Sequence, residues 1–210
     1  TLALSSFASG EFSAKLDGRT DFESYSSGCK TLENMLVHPQ GMASRRIGTQ
    51  FISEVKDSSA KTRLIPFEFS TTQTYMLEFG NLYIRFFKDK GQITEGDKTI
   101  TGITNANPGV VTATSHGYSN GDFVILSSLA GITEVNGITY KVANKTTNTF
   151  ELNDVDGNAV NTSTSGPYST YTSGGVANRI YQITTSYTTA QIPDLKFAQS
   201  ADVMFICHNS

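Results

Sequence analysis

Between residues 50 and 89 the chain reads QFISEVK, TRLIPFEFS, TYMLEFG and NLYIRFFKD, four short runs bounded by turn-forming residues. Phe67 and Phe69 flank Glu68, while Leu82, Ile84 and Phe86 interleave with Tyr83 and Arg85. A period of two commits such runs to strands, because successive side chains of a strand leave on opposite faces. Gly80-Asn81 falls between two of them and reads as a hairpin turn, since both residue types tolerate positive φ. Lys90-Gly91 marks the next turn. The expectation is an antiparallel meander. Pro66 has no N–H for a ladder, so its strand lies at an edge or carries a bulge.

The composition agrees. The chain has 13 Phe, 9 Tyr, 50 Ser and Thr together, and only 17% charged residues, against about 25% in an average domain. That balance excludes a coiled coil, a long helical bundle and a charge-driven disordered chain. With 210 residues, 38% of them hydrophobic, there is apolar material for one good core or two small ones. No apolar run approaches the length of a membrane-spanning helix. The opening TLALSSFASGEFSAKL has no basic stretch and carries Glu11, unlike a secretory signal, so a folded, soluble product is expected. The net charge of −3 gives no basic face for nucleic acid.

Charge also divides the chain. Residues 101–177 hold Lys141 and Lys145 against Asp122, Glu134, Glu151, Asp154 and Asp156, whereas the remainder balances 14 basic against 14 acidic residues. The texture changes at the same place, from Phe-rich runs with Arg and Lys to Thr, Asn, Gly and Val. The pattern predicts a discontinuous platform domain, 1–98 and 178–210, interrupted by a small all-β domain, 99–177, of barrel or sandwich type. Inside the insert, PGVVTATS, DFVILSSL, ITYKVAN and TFELND read as strands, HGYSNG as a turn, and the Ser/Thr/Gly-rich stretch near 157–175 as a flexible polar loop.

Residues 1–50 read as irregular, punctuated by Gly or Pro at 10, 18, 28, 39 and 41, with a short helical turn near Leu16–Tyr25 and a strand-like piece in Cys29–Val37. After the insert, RIYQITTSY reads as a strand, LKFAQSA as a helical turn and VMFICH as a last strand. A chain stopping two residues after a strand suggests part of a longer protein. That strand is expected to self-associate weakly or to tuck against the first block, because an open edge pairs readily.

The residues offer little catalytic chemistry. His38, His116 and His208 have no metal-ligand spacing with one another or with cysteine, and His116 reads as a turn residue. Cys29 and Cys207 fit no metal spacing and read as free thiols, with one bridge left open. Asp154-Val-Asp156-Gly157-Asn158 has the flavour of a calcium loop but lacks its terminal Glu, so a turn is expected. No phosphate-binding loop or nucleophile motif is present. The expectation is a non-enzyme with no cofactor and no metal. The most specific polar feature is Arg45-Arg46, either a solvated turn or an interface anchor whose guanidinium forks tie a neighbouring segment.

Taken in order, Gly10-Glu11, Arg19-Thr20-Asp21, Tyr25, Gly28-Cys29, Pro39-Gln40-Gly41 and Arg45-Arg46-Ile47-Gly48-Thr49 resemble the N-terminal segment of the tail nozzle proteins of short-tailed bacteriophages, the tail tubular protein B family. LIPFEFSTTQTYMLEFGNLYIRFF and DLKFAQSADVMFICH resemble the same family, so two blocks flank the insert. The insert itself is similar to a small β module of phage tail proteins that carries the label of the first catalytic-cysteine half-domain of ubiquitin-activating enzymes. No Cys lies between 30 and 206, so that likeness implies the β scaffold alone.

The nozzle resemblance implies a virion structural protein of the phage tail. Such proteins form a sixfold homo-oligomeric ring on a propeller-like platform, below a tail adaptor protein, and DNA passes down the lumen without sequence-specific binding. Arg45, Arg46, Asp21 and Tyr25 are the expected interface or structural anchors. The insert is expected at the surface, where its hydroxyl and amide groups suit decoration or contact with host surface glycans. A β-rich adhesin or carbohydrate-binding module without a tail role is the alternative. A depolymerase would need a carboxylate cleft that the sequence does not show.

Overall fold

The computed structural model describes residues 5–70 and 73–209. The chain is mainly β, built from several antiparallel sheets. It divides into two compact units, Thr1–Phe51 and Ile52–Ser210.

The first unit carries four short strands: β1 (Gly10–Glu11), β2 (Gly28–Cys29), β3 (Met35–Val37) and β4 (Ala43–Arg45). β1 and β2 pair in parallel, and β3 and β4 form a separate antiparallel hairpin. The expected strand-like piece Cys29–Val37 is thus two strands in different sheets. Short 3-10 turns at Ala14–Leu16 and Glu23–Ser27 take the place of the expected helical turn.

In the second unit, β5 (Arg63–Ser70), β6 (Gln73–Gly80) and β7 (Tyr83–Lys88) make the expected meander, extended by β8 (Gly91–Gln92). Pro66 lies on β5, which is an edge strand and also bulges between Glu68 and Ser70. Both turns fall one residue later or earlier than the sequence suggests. The β6–β7 turn is Asn81-Leu82, with Leu82 at φ 63, and the β7–β8 turn is Asp89-Lys90, at φ 51 and 64. Gly80 is needed for a different reason: the Tyr83 ring lies where its Cβ would be, 2.1 Å away.

The chain then builds β9 (Lys98–Thr99), β10 (Gly102–Ile103), β11 (Val110–Thr112), β12 (Phe123–Ala130), β13 (Thr139–Ala143), β14 (Thr149–Asn153) and β15 (Ser173–Arg179). These form one seven-stranded sheet in the order β10-β11-β14-β13-β12-β15-β9. The sheet curls until both its ends come from the single segment 98–103, where Ile100 N–H reaches Gly175 O and Thr101 N–H reaches Thr112 O. β9 and β10 do not pair with each other, so the barrel expected as one option for the insert is not closed. The sheet wraps its own core, which includes Val111, Val124, Leu126, Ile132, Phe150 and Leu152. His116 is part of that core rather than a solvated turn. Its ring packs on Tyr118 and Phe150, its Nδ1 accepts the Tyr118 N–H, and its Nε2 faces Thr149 O. Within 157–175, Thr162 is fully buried, Asn105 Nδ2 donates to the carbonyls of Thr162 and Ser169, and Tyr168 and Tyr171 pack on the core.

Finally β16 (Gln182–Thr184) returns to pair with β7, and β17 (Lys196–Ser200) and β18 (Val203–Cys207) form a two-stranded ribbon. LKFAQSA is therefore a strand and not a helical turn. It pairs residue for residue with β18 from Lys196–Cys207 to Ser200–Val203, around a turn with Ala201 at φ 50. The ribbon tucks inward: Phe197 of β17 and Met204 and Ile206 of the closing strand β18 pack on a second core of Ile65, Leu77, Phe79, Ile84, Ile192 and Leu195.

Candidate functional site

Two places in the molecule gather unusual side chains, one in each unit. In the first unit, residues 17–30 close a loop. The Arg19 guanidinium donates to both Asp21 oxygens at 2.8 and 2.7 Å, which holds the Asp21 carboxyl below its ordinary pKa. Tyr25 sits in the 3-10 turn Glu23–Ser27 and its hydroxyl accepts the Gly18 N–H. Its ring stacks on Phe12, whose own ring occupies the space a Cβ at Gly28 would need. Asp21 and Tyr25 thus belong to one loop. Arg45 and Arg46 stand elsewhere, at the end of the β3–β4 hairpin. Arg46 bonds Asn34 twice, through its N–H to Asn34 O at 2.9 Å and through Nη2 to Asn34 Oδ1 at 3.3 Å. Arg45 is exposed. Among the described residues no bond links this Arg pair to Asp21 or Tyr25.

The same unit has no buried apolar side chain among its described residues. Met35, Leu36, Val37, Met42, Ile47 and Phe51 are all exposed. β3 alternates like any strand, yet all three of its large side chains meet solvent, so the hairpin offers apolar surface on both faces.

In the second unit the notable cluster is interior, and the sequence reading missed it. With a two-residue turn at Asn81-Leu82, Glu78 falls directly opposite Arg85, and Tyr83 stands next along that face. The Tyr83 hydroxyl donates to Glu78 Oε1 at 2.5 Å. The Arg85 guanidinium is completely buried and lies over the Phe123 ring at 4.6 Å and the Tyr83 ring at 5.4 Å. Its Nε donates to Gln182 Oε1 at 3.5 Å, while Nη1 and Nη2 find no hydrogen-bond partner among the described residues. Lys56 Nζ sits 5.0 Å from the Tyr83 ring centroid and 5.9 Å from that of Phe123.

Burial and the bond to Glu78 push the Tyr83 pKa up, so this hydroxyl stays a proton donor at neutral pH. Burial lowers the Arg85 and Lys56 pKa values, and for Lys56 the nearby charges of Arg85 and Lys141 add to the effect. Beside the Tyr83–Glu78 bond, the Arg85 and Lys56 cations lie over Phe123 and so join the seven-stranded sheet to β7 of the meander. Arg179 reinforces the junction with bonds to Glu95 and to Asp122, the neighbour of Phe123. The signal that could have exposed the cluster was the register: once the turn is two residues long, Glu78 and Arg85 must face each other.

The remaining sequence candidates are local. Asp154 spends its carboxylate on Asn158, taking its N–H at 2.7 Å and its Nδ2 at 2.9 Å, as in a turn. Cys29 and Cys207 are both free thiols.

Comparison with known proteins places one part of the chain. Residues 106–180 match the family model of the ubiquitin-activating enzyme E1 FCCH domain. That stretch covers β11 through β15 and holds no cysteine. No curated protein matches the chain. Residues 106–180 are thus similar to an FCCH domain.

Proposed function

We propose that the chain is part of a structural subunit of a short-tailed bacteriophage virion, a tail nozzle protein whose ring carries DNA during ejection, with the FCCH-like module exposed on its surface. The observation that supports this reading is the state of the first unit. It carries the ordered set of residues that resembles nozzle proteins, and none of its described apolar side chains is buried. Burial drives association, and a unit that shows Met35, Leu36, Val37, Met42, Ile47 and Phe51 to solvent is built to be covered by a neighbour. Large, weakly charged interfaces of that kind suit permanent assemblies. On this reading Arg45 and the Asp21–Tyr25 loop flank a subunit contact, the tail adaptor is a further partner, and the near-neutral platform lets DNA pass without gripping phosphates.

The test is composition of particles. Virions purified from a host carrying the gene are expected to contain the chain, and electron microscopy of a tagged version is expected to place it as a ring at the tail tip. Finding the chain only on the cell envelope or in the medium, with no particles, overturns the reading in favour of an adhesin or glycan-binding module.

A further inference from the structure

The second core is open along one side, and the chain has one strand to spare. β16, β7, β6 and β5 form a continuous sheet, and β17 is tied to the outer edge of β5 through one side chain. Gln199 Nε2 donates to Glu68 O at 2.6 Å, and Gln199 Oε1 accepts the Glu68 N–H at 3.3 Å. The arc therefore runs β16-β7-β6-β5-β17-β18, and among the described residues β16 and β18 each pair on one side only. An apolar cavity of about 350 Å3 opens between these two ends, lined by Ile183 of β16, Met204 and Ile206 of β18, and Phe67, Leu77 and Phe86 below. A cavity less than half that size accommodates a benzene ring.

The two edges of the arc differ from β5 in kind. β5 is blunted by Pro66, by a bulge and by the Gln199 amide, the devices that keep an edge from pairing. β18 reads Val-Met-Phe-Ile-Cys, with neither proline nor charge, and Val203 and Phe205 stand exposed.

The spare strand is the segment 47–53, Ile-Gly-Thr-Gln-Phe-Ile-Ser. It overlaps the first of the strand-like runs in the sequence, yet it has no strand partner and forms no backbone hydrogen bond among the described residues. It spans the point where the two units divide, between Phe51 and Ile52. Ile47 and Phe51 are its most exposed large hydrophobic side chains, at 84% and 79%. As a strand it would set Ile47, Thr49 and Phe51 on one face.

We infer that segment 47–53 of one copy inserts between β16 and β18 of a neighbouring copy, closing the arc and filling the apolar cavity with Ile47 and Phe51. Main-chain pairing on both sides gives affinity, and the two apolar anchors fix the register, as in other strand-addition complexes. Charge agrees: Arg45 and Arg46 immediately precede the donor, and Asp202 lines the acceptor cavity. Donor and acceptor are different surfaces, so the contact is head-to-tail and generates a ring when the rotation closes. The inference deepens the nozzle reading by naming the subunit contact, and it rests on that reading for its setting.

The test uses the whole chain and its Ile47→Ser/Phe51→Ser variant, whose substitutions fall on solvent-exposed side chains and leave the fold intact. Sedimentation over a wide concentration range is expected to show association of the unaltered chain, weakened at least about tenfold in the variant, because each anchor contributes more than that factor when buried. A synthetic peptide of residues 46–54 is expected to bind the chain and to slow amide exchange at Ile183 and Met204–Ile206, while the doubly substituted peptide does neither. A chain that stays monomeric at every concentration, a variant that associates as well as the unaltered chain, or a peptide that leaves those amides unprotected each overturns the inference. A ring in virions that survives both substitutions removes the strand exchange and keeps the nozzle reading. Peptide binding by a chain absent from virions does the reverse.

Discussion

At the scale of single residues, the buried charges of the second unit set the strongest expectations. Arg85 has lost all contact with water, and its counter-charge, Glu78, faces it across the ladder. Arg85→Ala is expected to destabilise the chain by about 3 kcal/mol, because breaking one side of a buried charge arrangement strands the other. Arg85→Met combined with Glu78→Gln is expected to recover most of that loss, since the amide still accepts from Tyr83 and no charge remains. Urea midpoints of the two variants, at equal slope, check the pair. Tyr83 adds a pH dependence. Its pKa lies above the ordinary 10.0, so the folded state keeps a proton that the unfolded state releases. The resulting stability is fully present below pH 10 and is lost as pH rises further. Tyr118, pushed up to about 12 by burial, and Tyr140 act in the same direction. Unfolding midpoints are expected to fall from pH 10 upward, and Tyr83→Phe is expected to flatten that fall while costing about 1–3 kcal/mol at neutral pH through the donor Glu78 loses. Sequence alone pointed to a different set of residues. Arg45-Arg46 is conspicuous as a dipeptide, whereas Glu78 and Arg85 look like the solvent face of an amphipathic strand. Only the covering by Phe123, 38 positions after Arg85, turns that face inward, and no local pattern encodes such a contact.

At the scale of elements, period-two patterning identified the meander because β5, β6 and β7 each bury one face and pair with neighbours in sequence. Turn positions were legible only to within a residue. Gly80 and Gly91 attracted the assignment, yet the residues that bear positive φ are Leu82, Asp89 and Lys90. Asp89-Lys90 has the backbone of a type I′ turn, where glycine at the second position is strongly preferred. Lys90→Gly is therefore expected to stabilise the β7–β8 hairpin by about 1 kcal/mol, the cost of holding a side chain in the left-handed region, read as a rise in the thermal midpoint. Gly131 is the opposite case. It has φ +86, and a Cβ there would meet Thr170 O at 2.1 Å. Gly131→Ala is expected to cost about 2 kcal/mol or more and to loosen the 163–172 stretch, detectable as faster amide exchange at Thr172, whose N–H bonds Ala130 O. The ribbon β17–β18 escaped the sequence reading for a related reason. LKFAQSA is short, and its one large aromatic, Phe197, packs edge-on against Phe79 far back in the chain, so its strand character depends on β18 and on that distant ring.

At the scale of the whole molecule, the second unit holds two hydrophobic cores that draw on different stretches of the chain. The core of the seven-stranded sheet draws only on residues from Ile100 to Ala177, and the second core only on Ile65–Phe86 and Tyr187–Ile206. The seven-stranded sheet hides its own apolar surface, while the second core keeps one side open. Between them the contact is narrow and specific: the Phe123 ring under Arg85 and Lys56, the Arg179 bonds, and a Ser58 hydroxyl on Asp156 at 3.3 Å. A domain of roughly 85 residues is large enough to fold on one core. Residues 97–181 expressed alone are accordingly expected to fold, with a single cooperative thermal transition and native-like far-ultraviolet circular dichroism. The stability of the isolated module is expected to depend little on Phe123, because its ring then has no cation to cover it. In the whole chain Phe123→Ala is expected to cost about 3 kcal/mol, in the range of buried aromatic truncations, and to uncouple the two cores into separate transitions. A gradual, non-cooperative melt of residues 97–181 would mean that the module borrows its stability from the meander, and that the seam in charge marks a change of surface within one folding unit rather than a boundary between two.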